Sequence, residues 1–183
     1  RSIRRPRPTF VTCSEYAVPG SGRRRDFTVY TLIKWLHLLA LIVWVGEIVF
    51  FSFVVAPGLF RTFDAPDAGR AVGAIFPIYY RVGYVCGVVL IATCLFFLAR
   101  GSAPAWWGFA GAASAVMLAA TLYAGIVLQP RASAMRPLIH DPAAGQAVKD
   151  EFGRLHRLAV ILNGVVLLCG LGVSVVSATK LQP

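Results

Sequence analysis

Glu47, Arg81, His156 and Asn163, together with Tyr80 and Tyr84, are the residues of this chain whose types could move a proton or hold a polar ligand. A carboxyl, a guanidinium, an imidazole, an amide and two phenols supply acid–base chemistry and a full range of donors and acceptors. His37 stands apart from them and could ligate a metal or a haem b. Arg23, Arg24 and Arg25 form the densest run of positive charge and suit anionic lipid or a partner surface. The sequence holds no nucleophile with its base, no P-loop and no dinucleotide fingerprint, so no catalytic residue is assigned.

What surrounds these residues is hydrocarbon. Tyr30 to Pro57 reads as a nearly unbroken apolar run in which Lys34, His37 and Glu47 sit at the depth of lipid. About sixteen Leu, Ile, Val and Phe in it favour insertion by roughly 0.3 to 0.6 kcal/mol each, against roughly 2.5 to 3.5 kcal/mol for a central charge. Insertion wins, and the polar residues then need a use. Three further runs, Phe76 to Leu98, Ala105 to Leu128 and Leu155 to Ala178, also reach the roughly 20 residues that cross a bilayer core. The expected fold is therefore all-α: a four-helix transmembrane bundle over residues 27–183, both termini on one side, preceded by a basic irregular extension over residues 1–26.

The net charge of +10 over 183 residues would suggest nucleic acid in a soluble protein. Here the basic residues flank apolar spans, so membrane lipids are the expected partners and nucleic acid is not. The triple Arg before the first span places both termini on the matrix or cytoplasmic side. The extension is Arg-rich and acid-poor, like an organellar targeting segment. This favours a mitochondrial or other organellar inner membrane, with a bacterial inner membrane as the alternative.

Local signals divide the chain further. Span one is expected to start near Asp26 and to stop at Pro57–Gly58, and Pro77 to kink the entry to span two. The short turn around Arg100 makes spans two and three antiparallel neighbours. Pro130 is expected to end span three, and Asp141–Pro142 to open a helix that runs on into span four. Gly83 with Gly87, Gly111 with Ala115, and Gly170 with Ser174 form small-x-x-x-small pairs through which helices can approach. Trp35, Trp106, Trp107, Tyr79 and Tyr80 suit an interfacial belt. Cys86, Cys94 and Cys169 read as packing residues, and Met117 and Met135 are too few for a copper conduit.

At about 100° per residue, His37, Leu41, Trp44, Ile48 and Phe51 share one helix face, with Glu47 at its border. Counting 1.5 Å per residue puts Glu47 and Asn163 at one level, roughly 12 to 13 Å below the membrane surface near His156 and Arg157. His37 lies towards the opposite surface, and Lys34 is close enough to that surface to snorkel. His37 and His156 are roughly 20 Å apart in depth, too far to share one metal. The side chains gathered in the Glu47 half can serve either as a lock between helices or as a proton or substrate site.

Three blocks in order, HLLALIVWVGEIVFFSFVVAPGLFR, AGRAVGAIFPIYYRVGY and FGRLHRLAVILNGVVLLCGL, resemble the transmembrane protein 205-like family of integral membrane domains. The resemblance implies that His37, Trp44, Gly46, Glu47, Pro57, Phe76, Pro77, Tyr80, Arg81, His156, Arg157 and Asn163 are signature positions. The first block is also distantly similar to copper resistance protein D and the membrane protoporphyrinogen oxidases, which implies haem at His37, although their second axial ligand has no counterpart here. The expectation is a non-catalytic accessory subunit docked on other membrane subunits of a bioenergetic assembly. A proton-linked transporter and a haem-binding protein are the alternatives.

Overall fold

Among the described residues four helices are long and apolar enough to cross a membrane: Asp26–Thr62, Ala65–Ala99, Pro104–Ile139 and Gln146–Lys180. The computed structural model describes residues 21–101, 103–139 and 145–181, with side chains from Asp26 onward, and among these residues there is no strand. Residues 1–20, most of the basic extension, and the Asp141–Pro142 pair lie outside the described residues, as do the side chains of Arg23, Arg24 and Arg25.

The elements in order are α1 (Ser21–Phe50), a π-helical segment (Phe51–Val55), α2 (Ala56–Thr62), α3 (Ala65–Ala99), α4 (Pro104–Tyr123), a second π segment (Ala124–Leu128), α5 (Gln129–Ile139) and α6 (Gln146–Lys180). Residues 1–32 and 33–183 form two compact units. In the first, helix α1 already runs through Asp26, so Asp26 does not cap it, and the Thr31 hydroxyl donates to the Phe27 carbonyl at 2.9 Å. The second unit carries the remaining polar residues discussed below.

Both prolines expected to end spans instead lie inside continuous helix. Proline has no N–H to donate, and its ring clashes with the carbonyl four residues back. That carbonyl belongs to Phe53 for Pro57 and to Ile126 for Pro130, and each falls in a π segment. Ala56 and Gln129, immediately before the prolines, donate to carbonyls five residues back, Phe51 and Ala124. The wider π turn relieves the clash without breaking the span, a recognised way for membrane helices to carry proline. Pro77 likewise sits within α3, which runs unbroken for 35 residues.

Local chemistry sets the other ends. Asp64 caps α3 by accepting from the Asp67 N–H at 3.1 Å, and Ala65–Pro66 opens its first turn. The α3–α4 connection turns through Gly101 and Ala103, both at positive φ. Lys34 donates from Nζ to the Leu181 carbonyl at 2.6 Å, which ties its ammonium to the end of α6.

Trp44 organises the packing at mid-span. Its indole is 2% exposed and lies against Gly83 and Gly87 of α3. A Cβ at Gly83 would come within 3.0 Å of both Trp44 Nε1 and Thr121 Cγ2, and one at Gly87 within 2.9 Å of Leu118 Cδ1. Gly170 of α6 is pressed in the same way by Val45 and Met117. Of the expected small pairs, Gly83 with Gly87 forms a groove that a side chain fills. Gly111 with Ala115 does not, because Ala115 is exposed and α4 packs through Ala110, Ala113, Ser114 and Met117 instead. The expected belt also divides, with Trp35 and Trp106 exposed but Trp107 and Tyr79 buried in the core. Gly87→Val should therefore destabilise the detergent-solubilised protein by about 1 to 3 kcal/mol through overpacking. Gly108→Ala, with open space around it, should leave the thermal midpoint unchanged or raise it.

Candidate functional site: two hydrogen-bonded clamps and an isolated carboxyl

His37 is fully buried, and both of its ring nitrogens are engaged. Nδ1 lies 2.7 Å from Thr93 Oγ1 of α3, and Nε2 lies 2.8 Å from Ser177 Oγ of α6. Phe97 and Trp107 meet the imidazole at 5.7 and 5.6 Å between ring centres, each in an edge arrangement. The wheel places His37, Leu41, Trp44, Ile48 and Phe51 on one face; the first four are buried and Phe51 is half-buried. One fully buried side chain thus ties three helices together.

The protons of this clamp can be counted. Ser177 Oγ has the Val173 carbonyl at 2.7 Å, and Thr93 Oγ1 has the Val89 and Leu90 carbonyls at 2.9 and 3.0 Å. A neutral imidazole donates from one nitrogen and accepts at the other. One hydroxyl therefore accepts from the ring and keeps its bond to its own helix, while the other turns its hydrogen to the bare ring nitrogen. Two tautomers satisfy the same heavy-atom geometry. A cationic ring would instead donate to both hydroxyls, but a buried charge needs a counter-ion, and no carboxylate bonds to His37 among the described residues.

A second clamp holds the same three helical spans at another depth. Tyr79 Oη donates to Asn163 Oδ1 at 2.7 Å, and Asn163 Nδ2 donates to Ser52 Oγ at 3.0 Å. Fourteen residues separate Tyr79 from Thr93 and Asn163 from Ser177, and fifteen separate His37 from Ser52. At 1.5 Å per residue the clamps stand roughly 21 Å apart along the helices. Phe51, Phe76 and Tyr80 pack around Tyr79, with ring centres 5.2 to 6.2 Å from it.

Glu47 lies between the clamps and belongs to neither. Its Oε2 is buried and has no hydrogen-bond partner. Tyr79 and Cys86 are its electrostatic neighbours. A buried carboxyl oxygen without a partner is costly away from water.

The six residues expected to form one site are thus dispersed. Asn163 joins Tyr79 and Ser52 rather than Glu47. Arg81 is exposed, because two residues after Tyr79 it points roughly 200° away from the buried face of α3. His156 is also exposed: it shares a face with Asn163 but lies seven residues nearer the helix start, where that face is uncovered. Tyr80 and Tyr84 pack against Gly125 of the second π segment, where an added Cβ would stand 2.8 Å from Tyr80 Cγ. Sequence reasoning missed Thr93, Ser177 and Ser52, and read Tyr79 as a belt residue rather than as the partner of Asn163. Period offered a signal, since each lies two heptads or close to it from a partner residue on its own helix.

As for haem, both ring nitrogens of His37 are hydrogen-bonded to hydroxyls, so ligation of iron there would require one of these bonds to open. A groove of about 280 Å³ runs beside Ser177 along α1 and α6, but apart from Ser174 and Ser177 its walls are apolar, with Leu38, Ile42 and Val45 prominent.

Residues 39–141, more than half of the chain, match the family model described as Domain of unknown function (DUF4149). The chain belongs to this family. The DUF4149 match takes in Trp44, Glu47, both π segments and the Tyr79–Tyr84 layer, while His37, Asn163 and Ser177 lie outside it. An uncharacterized protein of Aquifex aeolicus (strain VF5) is 39% identical over 67 residues, which are 37% of this chain and 46% of that protein. The chain therefore matches about half the length of this relative. No solved structure matches.

Removing single clamp atoms should show how the clamps act. Tyr79→Phe is expected to cost about 0.5 to 1.5 kcal/mol, as intramembrane hydrogen bonds do. His37→Ala, which also opens a cavity, is expected to cost about 2 to 5 kcal/mol. Chemical denaturation from mixed micelles measures both, and the Tyr79→Phe and Asn163→Leu costs should combine to less than their sum.

Proposed function

We propose that this integral membrane protein is non-catalytic and serves as an accessory subunit of a larger membrane assembly, in a bioenergetic membrane. The observation that carries the reading is the saturation of the clamps: His37 and Asn163 use their ring nitrogens and amide on neighbouring helices. Among the described residues that leaves no convergent set of open acid, base and nucleophile of the kind catalysis needs. The resemblance to the transmembrane protein 205-like family points the same way, towards an integral membrane domain without an assigned reaction. A bacterial inner membrane is supported by the Aquifex relative, and an organellar one by the composition of the basic extension. The termini face the matrix or cytoplasmic side on the charge count, and Arg23, Arg24 and Arg25 give the extension its grip on lipid or partner. Mild-detergent purification from the native membrane, followed by mass spectrometry, is expected to recover stoichiometric membrane subunits. A monodisperse, partner-free protein under gentle extraction would contradict it.

One observation favours a second reading, a proton-linked transporter. Glu47 is a carboxyl at membrane depth with a buried, unpartnered oxygen, and such groups mark proton paths. Under this reading Glu47→Gln abolishes proton-coupled flux in proteoliposomes while leaving the thermal midpoint within a few degrees. Flux that survives the substitution removes Glu47 from any such path.

A further inference from the structure

Arg136 of α5 occupies a notch in α3. Its guanidinium fills the space above Gly73, where an added Cβ would collide with Nη1 and stand 3.0 Å from Cζ. Pro77 lies four residues after Gly73 and has no N–H, so the Gly73 carbonyl lacks its usual helical donor. The missing Cβ of Gly73 therefore gives the guanidinium a seat against the α3 backbone. Tyr80 is its electrostatic neighbour, on the turn that also packs against Gly125.

No carboxylate pairs with this cation among the described residues. The described ion pairs, Arg70 with Asp67 and Arg154 with Glu151, each join residues three apart on one helix. Arg136 takes part in neither. A guanidinium carries five N–H donors in a planar fork, more than one carbonyl can use, and that fork matches the oxygens of a phosphate group. The position is also suitable. Gly73 precedes the apolar run that begins at Phe76, and Arg136 follows the one that ends at Leu128, so the notch lies beyond the hydrocarbon stretch, at headgroup level.

We propose that Arg136, seated over Gly73 beside Tyr80, is a phosphate-binding site occupied by the headgroup of an anionic membrane phospholipid. Arg136 donates to the phosphate oxygens, Gly73 provides the room that aims it, and Tyr80 forms the adjacent wall. The apolar surfaces of the neighbouring helices receive the acyl chains.

The test uses the full chain in detergent, titrated in native mass spectrometry with phosphatidylglycerol and, in a separate arm, with inorganic phosphate. The expected result is a saturable one-to-one phosphatidylglycerol adduct whose affinity falls roughly ten- to a hundredfold in Arg136→Gln. Gly73→Ala, which retains the charge but fills the notch, should weaken it as well, and Arg136→Lys should restore only part of the loss. Thermal midpoints of lipid-free protein confirm that the variants fold. An adduct as strong in Arg136→Gln as in the parent overturns the site, as does the absence of binding in both arms. Binding of inorganic phosphate alone, with the same dependence on Arg136, keeps the phosphate site and overturns its lipid occupant.

Discussion

An imidazole held between two hydroxyls in a water-free interior sets the terms for the rest of the molecule. A polar group in hydrocarbon must find partners within the protein, because each unsatisfied donor or acceptor costs several kcal/mol there. His37 can satisfy both nitrogens only if α3 brings Thr93 to one side and α6 brings Ser177 to the other. That requirement fixes the rotation of three helices and their heights to within a fraction of a turn. Aliphatic contacts, which are interchangeable with lipid, impose no such register.

Two heptads along each helix the condition recurs with different chemistry, as Tyr79, Asn163 and Ser52 repeat the three-span closure. Between the clamps, Trp44 fills the groove over Gly83 and Gly87. The alternation of polar, close-packed and polar layers gives a bundle whose specificity comes from few atoms. The two π segments belong to the same design: they let Pro57 and Pro130 stand in continuous helices, and they carry Ser52 and Gly125 to the layer around Tyr79 and Tyr80. Glu47 is the exception, a carboxyl with a buried oxygen that no neighbour satisfies.

Much of this architecture was legible in the sequence because hydrophobic length and helical period are strong signals. The four spans, the buried face running from His37 to Ile48 and the Gly83–Gly87 groove follow from residue order alone. The composition of the site was harder to read. Depth along a helix can be counted, but rotation between helices cannot, and so Glu47, Arg81, His156 and Asn163 shared a half of the bundle without sharing contacts. Ser and Thr are ordinary inside apolar runs, and only the two-heptad spacing to Tyr79, Asn163 and His37 set Thr93, Ser177 and Ser52 apart. Proline was misread for a local reason: its helix-ending tendency assumes an α turn before it, and a π turn removes the clash.

The central claim is that His37 is a closed structural ligand between helices, and nitrogen NMR of the uniformly 15N- and 13C-labelled protein in lipid bilayers tests it most directly. The account predicts a neutral imidazole with one protonated and one unprotonated ring nitrogen, both hydrogen-bonded, and through-space correlations from the ring to the Thr93 and Ser177 side chains. A ring nitrogen shifted by a metal, or one exchanging freely with water and lacking those correlations, would contradict it.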